Sequence, residues 1–370
     1  MTTSFELPLW HDLHVHFRQG DIMPALIKDH LDMGCSTVLA MPNTKPPVAK
    51  VRQCDDLPYW SVEGYRDMIM QAGGDAFDDV IVPLYLTKDT TPAMIEDGAK
   101  AGLLKACKYY PPHGTTGADF SYPFEKFIEN GVFAALQDHG VTLCIHGEEH
   151  GMEAEQYFDR KINAEEYFYQ QRMPKLADSF PHLKVVGEHL TTKVGVDFIQ
   201  SAGKNFAASV TPQHLIYTVG HLLKGLNYHL YCLPLVKYDE DRAALRAAVS
   251  APDNTQFFAG TDSAPHVEKL TACGCAAGCY TGGIAPQLYA EAFEMAGVDL
   301  SQDAGQTLFS NFITNIGGAF YGLPTPQDTF TLVREPSEVC MLQTDAGTVT
   351  PLPKGMSTDE RVSMKWSIRR

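Results

Sequence analysis

The stretch HDLHVHFRQG, residues 11–20, sets His14 and His16 one residue apart in an apolar run. On a strand, alternate side chains share a face, so the two imidazoles project together while Leu13, Val15 and Phe17 line the other side. Two hydrogen-bonded core histidines would fit the same pattern. An H-x-H pair aimed at one point also suits a metal, because neutral imidazole is the commonest metal ligand. Further polar residues close later apolar runs: Asn43, Lys108, His146, His189 and Asp262, with His266 just beyond. Four histidines and one carboxylate are too many ligands for one tetrahedral zinc and too few to enclose two. Lys108 can supply the missing anion: a desolvated lysine amine is partly neutral, adds carbon dioxide and becomes a carbamate able to bridge two metals. Lys105 has the opposite strand parity and is expected to point elsewhere.

Such chemistry needs a scaffold that gathers strand ends. Eight apolar runs recur: LHVHF, STVLAMPN, DVIVPLYLT, GLLKACKYYP, VTLCIHGE, LKVVGEHL, FAASVTPQH and TQFFAGTDSAPH. Between them lie amphipathic stretches such as DIMPALIKDHLDMG and DRAALRAAVS, several ending at glycine. Alternating strand and helix signals imply parallel strands joined by crossovers. The interval from His14 to Asp262 matches the roughly 250 residues of a (β/α)8 TIM barrel, whose functional groups sit at the C-terminal strand ends. A doubly wound open sheet would want a Gly-rich phosphate turn after its first strand, which is absent. The expected organisation is one α/β unit over residues 1–370. Its barrel covers about residues 8–270, and a helical and strand extension of illegible role covers about 271–370.

Composition narrows the partners. A net charge of −16, from 29 basic and 45 acidic residues, gives a nucleic acid no electrostatic footprint. An anionic substrate would need a local arginine or lysine. No apolar run approaches the roughly 20 residues that span a membrane. The opening MTTSFELPLW lacks the regions of a signal peptide, so a cytoplasmic location is expected. Nine scattered cysteines indicate reduced thiols rather than a disulfide framework. The cluster CGCAAGC offers three thiolates without a fourth ligand or C-x-x-C spacing, a poor structural zinc site.

Taken in order, HVHFR, MPN, KYYP, IHGE, EHLTT, TPQHL, YCLP and GTDSAPH resemble the amidohydrolase superfamily, and within it the dihydroorotase family of the short, stand-alone bacterial type. The likeness covers nearly the whole chain. It implies two zinc ions: His14, His16 and Asp262 hold one, His146 and His189 hold the other, and N6-carboxylated Lys108 bridges them. It further implies that Arg18, Asn43 and His266 bind a substrate carboxylate, that Thr115 and Thr116 lie on a lid loop, and that backbone groups of Leu233 and of Ala276 or Ala277 meet the ring amides. The implied reaction is reversible cyclisation of N-carbamoyl-L-aspartate to L-dihydroorotate in de novo pyrimidine synthesis, with a metal-bridging hydroxide as nucleophile in hydrolysis and Asp262 as general acid and base. A homodimer would suit the family. Other cyclic-amide hydrolases, such as a hydantoinase or allantoinase, share the metal ligands but not the Arg18, Asn43 and His266 set.

Overall fold

The computed structural model describes residues 3–112, 114, 118–272 and 274–370. Eight parallel strands follow one another around a barrel: Trp10–Val15, Cys35–Ala40, Asp79–Ile81 continued by Leu84–Tyr85, Ala106–Tyr109, Thr142–His146, Val185–Glu188, Phe206–Val210 and Phe257–Ala259. The last strand returns to the first through a parallel bridge between Val15 and Ser263. The Asp262 N–H also donates to the His14 carbonyl at 2.8 Å. Beside this seam the buried Asp12 carboxylate accepts from the Thr261 N–H at 2.9 Å and its hydroxyl at 2.6 Å. The expected (β/α)8 barrel is thus the fold, and each of the eight apolar runs carries one of its strands.

Strands covered on both faces must be apolar throughout, and nearly every strand residue is buried. Several helices that follow strands begin at a hydroxyl cap: Thr91, Thr192 and Thr211 each accept a backbone N–H in the first helical turn. Such a cap is worth about 1 kcal/mol and fixes where the loop above the strand ends.

The first strand departs from simple alternation. Its register with the second strand shifts between Asp12 and Val15, a bulge-like irregularity. Leu13, expected opposite the two histidines, packs instead with Leu39, Ile81, Ala106, Val186 and Phe258 in the barrel interior. Val15 and Phe17 pack in the outer core as expected. With this shift the adjacent Leu13 and His14 both face inward, one in the inner apolar layer and the other in the cavity at the strand ends.

The segment after about residue 270 finds two uses. Helix Ile316–Tyr321 plugs the lower barrel mouth, where Ile316, Phe320, Tyr321 and Leu323 cover the inner apolar layer. Helix Ala285–Met295 lies on the outside, its Tyr289 hydroxyl donating to the Val210 carbonyl at 2.8 Å. Strand Thr329–Val333 pairs antiparallel with both Ser4–Pro8 and Ser367–Arg369, tying the two ends of the chain into one small sheet. Among the described residues no helix is long and apolar enough to cross a membrane.

Candidate active site

The C-terminal strand ends enclose a cavity lined by His14, His16, Arg18, Asn43, Tyr110, His146, His189, Leu233, Asp262, Ala264, Ala277 and Gly278. Residues from seven different loops therefore converge, although they are spread over more than two hundred positions of sequence. His14, His16 and Asp262 present ligand atoms within 4.8 Å of one another, all buried. His189 joins them, its ring 5.0 Å from that of His14 and 4.7 Å from that of His146.

Two of these residues have left-handed backbones, His189 with φ 39° and Asp262 with φ 47°. Such conformations cost an ordinary residue about 1–3 kcal/mol and persist where the surroundings over-determine them. Here the His189 N–H donates to Ser209 Oγ at 2.8 Å and the Asp262 N–H to the first strand. Just past His189, the buried Glu165 carboxylate accepts from both the N–H and hydroxyl of Thr191 and of Thr192, at 2.6 to 3.0 Å. Gly260 permits the close approach of the last strand, since a Cβ there would lie 2.8 Å from Ser209 Cβ and 3.0 Å from His14 Cβ.

The hydrogen bonds select the ring nitrogen each histidine offers. His14 Nδ1 donates to Glu188 Oε2 at 2.6 Å, and His16 Nδ1 donates to Asn43 Oδ1 at 2.8 Å. Their Nε2 atoms are left to face Asp262 Oδ1, at 3.4 and 2.9 Å. Burial pushes the His16 imidazole down to about 4, so it is neutral at physiological pH. Two lone-pair atoms at 2.9 Å repel unless a cation lies between them. His146 Nε2 donates to Glu148 Oε2 at 2.8 Å, which reserves Nδ1 for the cavity. His189 is held well below the usual imidazole range by burial and then by its neighbour His146. Burial alone would raise the Asp262 carboxyl, but hydrogen bonding and charge from the His14 side hold it well below the ordinary carboxylate range.

Lys108 completes the test of fit. It is wholly buried on the fourth strand, yet its Nζ has no hydrogen-bond partner among the described residues. A buried ammonium without an acceptor costs several kcal/mol, and burial accordingly pushes the amine down from its ordinary value. Burial thus favours the uncharged amine, which is the form that takes up carbon dioxide. Lys105 points away, to Asp79 at 2.7 Å near the surface.

Arg18 lies on the opposite wall, with its Nε donating to the Pro265 carbonyl at 3.3 Å and with no carboxylate partner among the described residues. His266 sits 3.4 Å from the Arg18 guanidinium and donates from Nε2 to the Ala277 carbonyl at 2.8 Å. Leu233 and Ala277 line the cavity, as expected. Ala276 does not: its N–H and carbonyl are both engaged with Lys269, at 2.8 and 2.6 Å, so of the two alanines only Ala277 faces the site. Thr115 and Thr116 lie outside the described residues. The sequence reading missed Glu188, Glu148 and Tyr110. Glu188 and Glu148 could have been found, since Glu188 directly precedes His189 in VVGEHL, Glu148 lies two residues after His146 in IHGE, and carboxylates commonly orient ligating imidazoles.

A barrel with this cluster at its C-terminal mouth defines the class of metal-dependent amidohydrolases. No family model matches the chain. A curated protein named dihydroorotase from Pseudomonas savastanoi pv. phaseolicola is 38% identical over 330 residues, covering 88% of each chain. The crystal structure of dihydroorotase in complex with 5-fluoroorotic acid from Saccharomyces cerevisiae superposes with a TM-score of 0.84 at 25% identity, over 99% of this chain and 98% of that one. A D-hydantoinase from Thermus sp. shares the fold more distantly, with a TM-score of 0.67 at 14% identity over 98% and 82% of the two chains. The chain belongs to the dihydroorotase family.

Proposed function

We propose that this protein interconverts N-carbamoyl-L-aspartate and L-dihydroorotate plus water, a step of pyrimidine biosynthesis, using two zinc ions. The observation that carries this reading is the buried, unpartnered Lys108 amine beneath four convergent histidines and Asp262. In this reading His14, His16 and Asp262 would hold one ion and His146 and His189 the other, with carboxylated Lys108 as the anionic ligand available to both. The bound metals would supply Lewis-acid polarisation of the ring carbonyl and lower the pKa of water.

The chain's own groups do the rest. Glu188 and Asn43 orient the rings of His14 and His16, fixing which nitrogen faces inward. In ring opening, Asp262 takes the proton of the attacking water and returns it to the leaving amide nitrogen; in ring closure it takes the proton of the ureido nitrogen as that nitrogen attacks the side-chain carboxyl carbon, and gives it to the departing oxygen, which leaves as water. The Arg18 guanidinium grips the substrate α-carboxylate, for which its planar fork is suited, with Asn43 and His266 alongside. Leu233 and Ala277 offer backbone groups to the ring amides from the facing wall. The carboxylate grip favours dihydroorotate over hydantoin or allantoin, which carry no carboxylate on the ring. A cytoplasmic homodimer fits this metabolic role.

The test is an ultraviolet assay of the zinc-loaded protein with N-carbamoyl-L-aspartate and, separately, L-dihydroorotate, each with and without a chelator. Turnover of both that vanishes on chelation is the expected result. Inertness toward both, with hydantoin hydrolysed instead, would move the protein to another cyclic-amide hydrolase. Within the dihydroorotase reading, Arg18→Lys should raise KM by roughly 10 to 100-fold, because a point charge replaces a charge-assisted bidentate pair. Its zinc content should stay at the wild-type value, and a KM within twofold would remove Arg18 from the carboxylate site.

A further inference from the structure

Beyond the metal cluster, one buried cation has every donor assigned. The ammonium of Lys269 donates to three carbonyls: Tyr231 O at 2.7 Å, Ala276 O at 2.6 Å and Gly278 O. Those carbonyls come from two separate segments, residues 231–233 and 276–278. The segments are also joined directly, by the Gly278 N–H donating to Tyr231 O at 3.0 Å. Each segment carries one cavity-lining backbone position, Leu233 in the first and Ala277 in the second. Gly278 has φ 138°, and a Cβ there would lie 2.7 Å from Ala264 Cβ, so the turn carrying Ala277 has no room to shift toward that side.

We propose that Lys269 is a positioning residue for substrate recognition: its ammonium gathers segments 231–233 and 276–278 into one rigid wall and so sets the spacing of the backbone groups that read the ring amides. The inference rests on the substrate reading above. An ammonium is the group for this task, since it brings three donors and no acceptor to three converging oxygens. The Ala277 carbonyl, between two clamped neighbours, is also the acceptor for His266 Nε2. The clamp therefore holds the imidazole beside Arg18 as well as the wall. Lys269 contacts none of the proposed metal ligands, so its loss should leave the metals in place.

Lys269→Met keeps the aliphatic stem and deletes the donors. With the zinc-loaded protein, KM for L-dihydroorotate and the calorimetric Kd of orotate, the unsaturated ring carboxylate, should both rise by roughly tenfold or more, the loss typical of hydrogen bonds to a charged group. The kcat should stay within about threefold and the zinc content at the wild-type value, a split that general destabilisation would not produce. Unchanged KM and Kd, or a parallel fall of kcat and zinc content, would overturn the assignment. Should the methionine variant fail to fold, Lys269→Gln restores two donors on one nitrogen; an intermediate KM supports the clamp and a wild-type KM refutes it. A wild-type protein inactive on both substrates would instead sink the substrate reading, which separates the two failures.

Discussion

Lys108→Ala should lose zinc and turnover together. In the proposed two-metal reading the substitution removes the shared anion, and it would leave four imidazoles with one carboxylate to hold two dications. Losing several kcal/mol of charge stabilisation corresponds to a fall in kcat of about a thousandfold or more. The informative part is the rescue. A small carboxylic acid such as propionate can enter the space vacated by the side chain and offer two oxygens where the carbamate offered two. Activity recovered in proportion to its concentration, together with recovered zinc, is the expected signature. An alanine variant that retains both ions and more than a tenth of wild-type kcat would show that Lys108 bridges nothing, and its orphaned amine would need another explanation.

Asp262→Asn should be nearly as damaging for a different reason. Asparagine is among the few residues that tolerate a left-handed backbone, so the φ of 47° is preserved and the melting temperature should move by only a few degrees. In the proposed mechanism what disappears is the proton acceptor, since an amide oxygen cannot carry the proton from water to nitrogen; the amide oxygen can still face the metal, though without the charge. General acid–base groups are commonly worth 10²- to 10⁴-fold, and we expect a loss of kcat in that range in both directions of the reaction. Asp262→Ala would confound this test by straining the backbone as well. If the asparagine variant kept kcat within threefold, the proton carrier would have to be sought elsewhere on the cavity wall.

Much of this site was legible in the linear chain because barrel strands obey a simple rule. Six of the eight apolar runs carry a polar residue near the C-terminal end, and His14, His16, Asn43, His146, His189 and Asp262 all line the same mouth, with Lys108 buried beside them. Where alternation held, as in Lys105 against Lys108, parity told inward from outward correctly. Leu13 broke the rule because a register shift in the first strand is invisible to a pattern of period two. Ala276 and Ala277 could not be separated by sequence, because which of two neighbours faces the cavity depends on the Lys269 contacts that pin the turn.

The amino-acid sequence by itself determined the period of the elements, the eight-fold alternation and the residue types at the strand ends, since these follow from local preferences and burial along the chain. Only the tertiary structure decided which ring nitrogens face inward, because Glu188, Asn43 and Glu148 must be brought within 2.6 to 2.8 Å of their histidines before a tautomer is chosen. It likewise decided the left-handed turns at His189 and Asp262, whose cost is offset by hydrogen bonds to Ser209 and the first strand that form only when the barrel closes. The role of the chain beyond residue 270 was also settled in three dimensions, for an apolar helix such as Ile316–Tyr321 carries no sign of its destination until the barrel floor it covers exists.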